Sequence, residues 1–306
     1  MKILLRFRLP LCSIATLIVC SSTALPYALA AWELASPSTP QTSSSVSSTS
    51  FISSVSSSFT LPTLTYHYVE SAQRASKRSV ALITSPVIFE KQLLALQERG
   101  YKTIFVSAVP GHLVSSLHPS PAIALTFDDG YQDFYVNVFP LLKKYQAKAT
   151  LYVVPAFIGK QGYLTQEELK DIVASGLVEI GAHTLHHKNL VRLSSTAAQK
   201  EIAGSKEELE RDFGVTVTSF AYPFGAHTPR IEALVGEAGF TTAVTTQRGW
   251  DQSPESLLIL KRIPGLAFVG TRKWKAIGDT AKEPSPATAT SSSSSAAGKP
   301  LHRRLN

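Results

Sequence analysis

Short apolar runs alternate with capped helical patterns through the middle of this 306-residue chain. That beat limits the possible folds more than any other feature. Leu61–Val69, Lys102–Val106, Ala122–Phe127 and Ala149–Val154 read as strands, each short and bounded by turn or polar residues. Leu177–Gly181, Val217–Ala221, Thr241–Thr246 and Leu257–Arg262 read the same way. The segments between them carry helix ends. Ser85-Pro86 opens a helix with Val87, Phe89, Leu93, Leu94 and Leu96 at helical spacing, and Gly100 stops it. Thr165 and Glu168 make a capping box, Ser195–Phe213 is the longest helix and Gly214 closes it, and Thr228-Pro229 opens another that Gly239 ends. About eight strands joined largely by helices predict a parallel α/β barrel, whose chemistry sits on loops at the C-terminal ends of its strands.

Both ends of the chain lack this beat. Residues 1–30 combine Lys2, Arg6 and Arg8, an apolar stretch from Leu9 to Cys20, and the small-x-small pattern Ala28-Leu29-Ala30, which reads as a signal peptide. An uncleaved N-terminal anchor is the other reading, although the run falls short of the ~20 residues a span needs. Cys12 and Cys20 are the only cysteines, so removing residues 1–30 leaves no disulfide, thiolate ligand or cysteine nucleophile. The same cut removes three positive charges and lowers the formal net charge from +8 to +5. That mild basicity suits an anionic envelope or an extracellular polymer and gives no support to nucleic-acid binding. Residues 31–60 read as a Ser/Thr/Pro-rich linker and 278–306 as a Ser/Ala-rich tail, both too polar to offset chain entropy. One domain is expected at 61–277, secreted or associated with the cell envelope.

The strand ending at Phe127 delivers Asp128 and Asp129 side by side ahead of Gly130. Turn chemistry accounts for Asp129-Gly130. Adjacent like charges repel, and a metal ion taking one carboxylate with a proton taking the other is the expected way to keep Asp128 beside it. The strand ending at Gly181 runs into His183, His186 and His187. A helical turn there would set His183 and His187 four apart on one face, where two imidazoles can share a metal. With a strand-end aspartate they supply three N/O ligands and leave a position for water, the open arrangement of a catalytic zinc site. No G-x-S-x-G elbow, H-E-x-x-H helix or phosphate-cradling loop competes with this reading.

The motifs TFDDGY (Thr126–Tyr131), HTLHH (His183–His187) and FAYPFG (Phe220–Gly225), with YHYV (Tyr66–Val69) ahead of them, resemble the NodB-homology polysaccharide deacetylases of carbohydrate esterase family 4. The resemblance runs from Leu61 to about Pro264 and is nearest to the branch that opens on a Tyr-His strand and acts on poly-GlcNAc. It implies a distorted (β/α) barrel, with Asp128 as catalytic base and Asp129, His183 and His187 holding a divalent metal, usually Zn2+. His186 falls on a variable position. The oxyanion donor corresponds to the backbone N–H of Phe224, whose ring reads as a core aromatic. Two family features are missing. The arginine that orients the base in many members is replaced by Ala221, and no late histidine follows Phe240 except His302 in the tail. His67 is the candidate acid that the Tyr-His branch implies. Trp250 reads as either a sugar-stacking platform or a packed side chain. The implied activity is N-deacetylation of a GlcNAc-containing polysaccharide: poly-β-1,6-GlcNAc, peptidoglycan or chitin oligomers. A non-catalytic glycan-binding module and an O-acetyl esterase remain the alternatives. The oligomeric state is not legible in the sequence.

Overall fold

A computed structural model describes residues 59–71, 80–114 and 120–265. The expected signal peptide, the linker up to residue 58, residues 266–277 of the expected domain and the tail lie outside the described residues. Strands β1 (Phe59–Thr60), β2 (Thr63–Tyr66), β3 (Tyr68–Val69) and β4 (Ile83–Thr84) come first. Then follow α1 (Pro86–Glu98), β5 (Lys102–Ile104), α2 (Val109–Val114), β6 (Ala122–Phe127), α3 (Phe139–Tyr145) and β7 (Ala149–Val153). The order continues with α4 (Gln166–Ala174), β8 (Val178–Ala182), α5 (Ser195–Phe213) and β9 (Ser219–Ala221). It ends with α6 (Pro229–Glu237), β10 (Thr242–Arg248), β11 (Asp251–Gln252) and β12 (Leu260–Pro264).

The main sheet is parallel throughout, in the order β2-β12-β10-β9-β8-β7-β6-β5, and β2 also pairs with β6. That extra pairing closes seven strands into a barrel and leaves β5 joined to Ala122–Ala124 of β6. The last strand lies between β10 and the first barrel strand, with Ile263 in register with Leu64. Residues from opposite ends of the domain therefore meet at one stretch of the rim. β1 pairs antiparallel with β11, so strand pairing begins two residues inside the segment read as linker.

Alternation along the strands sorts the buried side chains into two groups. Ile123, Leu125 and Phe127 of β6, Leu151 and Val153 of β7, and Phe220 of β9 pack in one cluster with α-helical residues such as Phe89, Leu93, Ile172, Ile202 and Ile231. Their neighbours of opposite parity, Ala124, Tyr152, Ala221, Val244 and Leu260, belong to a second cluster on the other strand face. Strands buried on both faces explain why the sequence shows apolar runs instead of polar/apolar alternation. Cutting Leu151 back to Ala would cost roughly 2–5 kcal/mol. Gly181 makes room for Tyr152, because a Cβ there would fall 2.4 Å from the Tyr152 ring.

The helix ends follow the sequence signals. Ser85 and Ser194 cap α1 and α5, the Thr165–Glu168 box is formed in both directions, and Gly214 takes φ 64° to end α5. The expected strand Leu61–Val69 is broken in two at His67. The Val69 N–H donates to the Asp133 carboxylate and its carbonyl accepts from Asn137 Nδ2 at 2.8 Å, so the chain leaves the barrel after Tyr66.

Candidate active site

β6 is buried up to Phe127, and the chain then turns through Asp129 at φ 75° and Gly130 at φ 73°. The left-handed residue turns the second carboxylate away from the strand's own alternation. Asp128 and Asp129 are 3% and 8% exposed, so neither charge can rely on solvent. Each has a different answer to that.

Asp128 is met by Arg262 of β12. The guanidinium donates from one nitrogen to Oδ1 at 2.7 Å and from another to Oδ2 at 2.8 Å, a bidentate pair. It is itself fixed by donation to the Thr245 carbonyl at 2.8 Å and to Thr126 Oγ1 at 3.1 Å. Burial alone would raise the Asp128 carboxyl. The charge and hydrogen bonds of Arg262 more than offset this and hold it well below the usual carboxylate range. The base-orienting arginine missed at Ala221 is thus supplied from the last strand of the barrel. A signal for it exists in the sequence: in LKRIP, Arg262 shares the inward parity of Leu260 while Lys261 points out.

Asp129 has no such partner, and its Oδ1 is buried without a hydrogen bond. Facing that oxygen at 3.4 Å each are Nε2 of His183 and Nε2 of His187. The Ala221 carbonyl lies 2.7 Å from His183 Nδ1, which must donate to it, so in neutral His183 Nε2 carries a lone pair. The three possible ligand atoms lie within 4.8 Å of one another, and with both imidazoles presenting Nε2 lone pairs they would call for a positive charge between them. Bonds of ~2.0–2.1 Å in a tetrahedral zinc site put neighbouring donor atoms about 3.3 Å apart, close to the spacing seen here. The donor set therefore fits a divalent ion. Burial lowers the His183 pKa, but the hydrogen bond and charge of Asp129 and the charge of Asp128 outweigh burial and raise it, the direction expected where negative charge gathers around an imidazole. His187 stays below its ordinary value through burial and the nearby His183, which suits a neutral ligand.

The helical turn expected at His183–His187 is absent. The segment is a loop in which Thr184 (φ 64°) and His187 (φ 56°) are left-handed, and this backbone, not a shared helix face, brings the imidazoles together. Phe224, in the Pro223–Gly225 turn, is left-handed as well at φ 63°. Among the described residues five non-glycine positions have positive φ, and only Gln146 is away from this site. Such conformations cost of order 1–3 kcal/mol each and persist where surrounding structure imposes them. The turn is held tightly: a Cβ on Gly225 would meet Thr246 Oγ1 at 2.0 Å. The Phe224 ring is not a core aromatic. It is 64% exposed and set edge-on to His187 at 4.8 Å.

His67, at the bend between β2 and β3, places Nε2 3.8 Å from Asp128 Oδ2 and is partly exposed. His186 points away from the triad and binds Glu201 through its backbone N–H (2.9 Å) and Nδ1 (3.0 Å). Trp250 is half-buried against the core. An aromatic arc that sequence reasoning missed follows the rim: Tyr68 stacks on Tyr131 at 3.9 Å, Tyr131 on Tyr163 at 5.1 Å, and Phe157 adjoins Tyr163 at 4.8 Å.

Comparison with known proteins gives a consistent result. A family model described as polysaccharide deacetylase matches residues 116–243. The Bacillus subtilis protein YxkH, named as a polysaccharide deacetylase, is 30% identical over 68% of this chain and 73% of its own length. A Staphylococcus aureus poly-β-1,6-N-acetyl-D-glucosamine N-deacetylase is 27% identical over 53% of this chain and 63% of its own. The chain thus spans less than two thirds of that second relative. Among solved structures, the Streptococcus pyogenes deacetylase PplD in complex with acetate aligns with TM-score 0.62 and 28% identity, over 68% of this chain and 93% of that one. IcaB from Ammonifex degensii aligns with TM-score 0.61 over 73% and 97%, and at 24% identity it speaks for the fold.

Proposed function

The chain belongs to the polysaccharide deacetylase family, and on that premise we propose that it is a metal-dependent hydrolase removing N-acetyl groups from a GlcNAc-containing polysaccharide outside the cytoplasm. The observation that carries this reading is the division of the adjacent carboxylates: Asp128 bonded at both oxygens to Arg262, Asp129 bare at Oδ1 and facing two imidazole nitrogens. Asp129, His183 and His187 would hold a divalent ion, with zinc the best match to the donor set. When bound, the ion would polarise the amide carbonyl and lower the pKa of the attacking water.

The protein's own residues account for the remaining steps. Asp128 accepts the proton of the water as its oxygen attacks the carbonyl carbon. A carboxylate held this acidic is a weak base in bulk terms, so its contribution rests on being ionised at every working pH and fixed by Arg262. The backbone N–H of Phe224 is the candidate donor to the oxygen that becomes negative as the carbonyl is attacked. The amine leaves when the C–N bond breaks and must take up a proton, for which His67, beside Asp128, is the candidate source. The products are acetate and a free amine on the sugar. The relatives' names favour poly-β-1,6-GlcNAc, and the signal-peptide pattern at residues 1–30 supports export.

Amine release from oligomers of poly-GlcNAc, chitin and peptidoglycan, before and after chelation and zinc addition, tests the reading. Zinc-restored release from at least one polymer is expected. Release from none, or release untouched by chelation, would overturn it.

A further inference from the structure

At the barrel mouth a cavity of about 260 Å³ opens beside His67 and Arg262. It lies at the ends of β2, β10 and β12 and is smaller than the ~300–1,000 Å³ typical of drug-sized ligands, a size for one sugar ring. Leu82, 40% exposed, gives it an apolar wall, and exposed Thr246 lies along its edge. No acidic side chain is among the described lining residues. Arg262 is already matched by Asp128. Exposed Arg248 forms no ion pair among the described residues, so its charge is the uncompensated one in the lining.

We propose that this cavity is a subsite for the sugar next to the one being deacetylated, and that Arg248 sorts that neighbour by charge: a carboxylate-bearing sugar is favoured, a neutral one accepted, and a glucosaminium rejected. The proposal rests on the deacetylase reading only in assigning the reacting sugar to the adjoining metal site. The physical basis is short. A guanidinium pairs with a carboxylate through charge-assisted, bidentate hydrogen bonds and repels an ammonium in the same place. Because deacetylation itself turns a neutral sugar into a cationic one, such a subsite would make each cleavage unfavourable for the next residue along. It would space the free amines along the polymer.

The test uses three oligosaccharides of one length, each with a single N-acetylglucosamine flanked by glucose, glucuronate or glucosamine. Binding to the full zinc-loaded chain and kcat/KM are measured for each. Both should follow glucuronate, then glucose, then glucosamine, with about tenfold or more between the extremes, the scale of one charge-assisted hydrogen bond. The span should narrow in high salt. Arg248→Gln should compress it, mainly through KM, and Arg248→Lys should restore the order in part. A flat order in the wild type, or the same order retained in Arg248→Gln, overturns the proposal. Hydrolysis of none of the three would count against the deacetylase reading alone, since the order of the binding constants still decides the subsite.

Discussion

On one side of the barrel mouth Asp128 has both oxygens bonded to a buried arginine, itself anchored to the Thr245 carbonyl and the Thr126 hydroxyl. On the other side Asp129 turns a buried oxygen with no hydrogen bond towards two imidazoles, on a backbone strained at Asp129, Thr184, His187 and Phe224. The two carboxylates are adjacent in sequence and similarly buried, so burial cannot distinguish them. What differs is whether the protein completes the site. The Asp128 side is closed by charge within the fold, and the Asp129 side is left open for a cation. The contrast suggests how neighbouring like charges can be kept together: Asp128 has its positive partner within the fold, and the proposed ion would supply one for Asp129.

The largest break in this contrast is Asp129→Ala. Metal analysis should find the stoichiometric divalent ion lost and turnover gone with it, because three protein ligands are the minimum for such a site. Full zinc content in that variant would remove Asp129 from the ligand set.

His67→Ala probes the closed side without touching a ligand. Turnover of an N-acetyl substrate should fall by about a hundredfold or more, the usual scale of a general acid, while the ion stays bound. An activated aryl acetate, whose leaving group needs no proton, should suffer much less. Equal losses on both would make His67 a shaping residue.

Arg262→Met measures what the closure is worth. Removing one partner of a buried pair typically costs about 3–5 kcal/mol, because Asp128 is left charged and unpaired. Denaturant unfolding should show that loss near neutral pH, and combining it with Asp128→Asn should recover part of it. The pH dependence has a definite sign. The Asp128 pKa is depressed in the fold, so the pair's contribution is present above the unfolded carboxyl value of ~3.9 and fades as pH falls further. The gap between wild type and Arg262→Met should therefore narrow in acid. A gap that widens in acid would contradict the assignment.

The smallest effect expected is that of His186→Ala. Its side chain is 55% exposed and binds Glu201, so metal content should be unchanged and stability should shift by no more than ~1 kcal/mol.

Much of the frame was legible from the sequence because its signals are local. Ser85, Thr165 and Gly214 act at helix ends within a few residues of themselves, and β6 has its expected limits at Ala122 and Phe127. The ligand triad was legible as residue types at strand ends, but its geometry was not. Helical spacing suggested how His183 and His187 could meet, whereas the chain uses left-handed residues that spacing does not reveal. Arg262 was missed for a different reason. It lies 134 positions from Asp128, and only barrel closure through β12 between β10 and β2 brings the two together. The place where an arginine was sought is filled by Ala221, whose carbonyl instead fixes the tautomer of His183.

The contrast between the two carboxylates is tested most directly by metal content and turnover measured together on Asp128→Asn. The amide is nearly isosteric with the carboxylate and cannot accept the proton. A full equivalent of bound ion with turnover reduced by about a hundredfold or more is the expected result. Loss of the ion along with activity would make Asp128 a ligand, and retained turnover would mean that the base lies elsewhere.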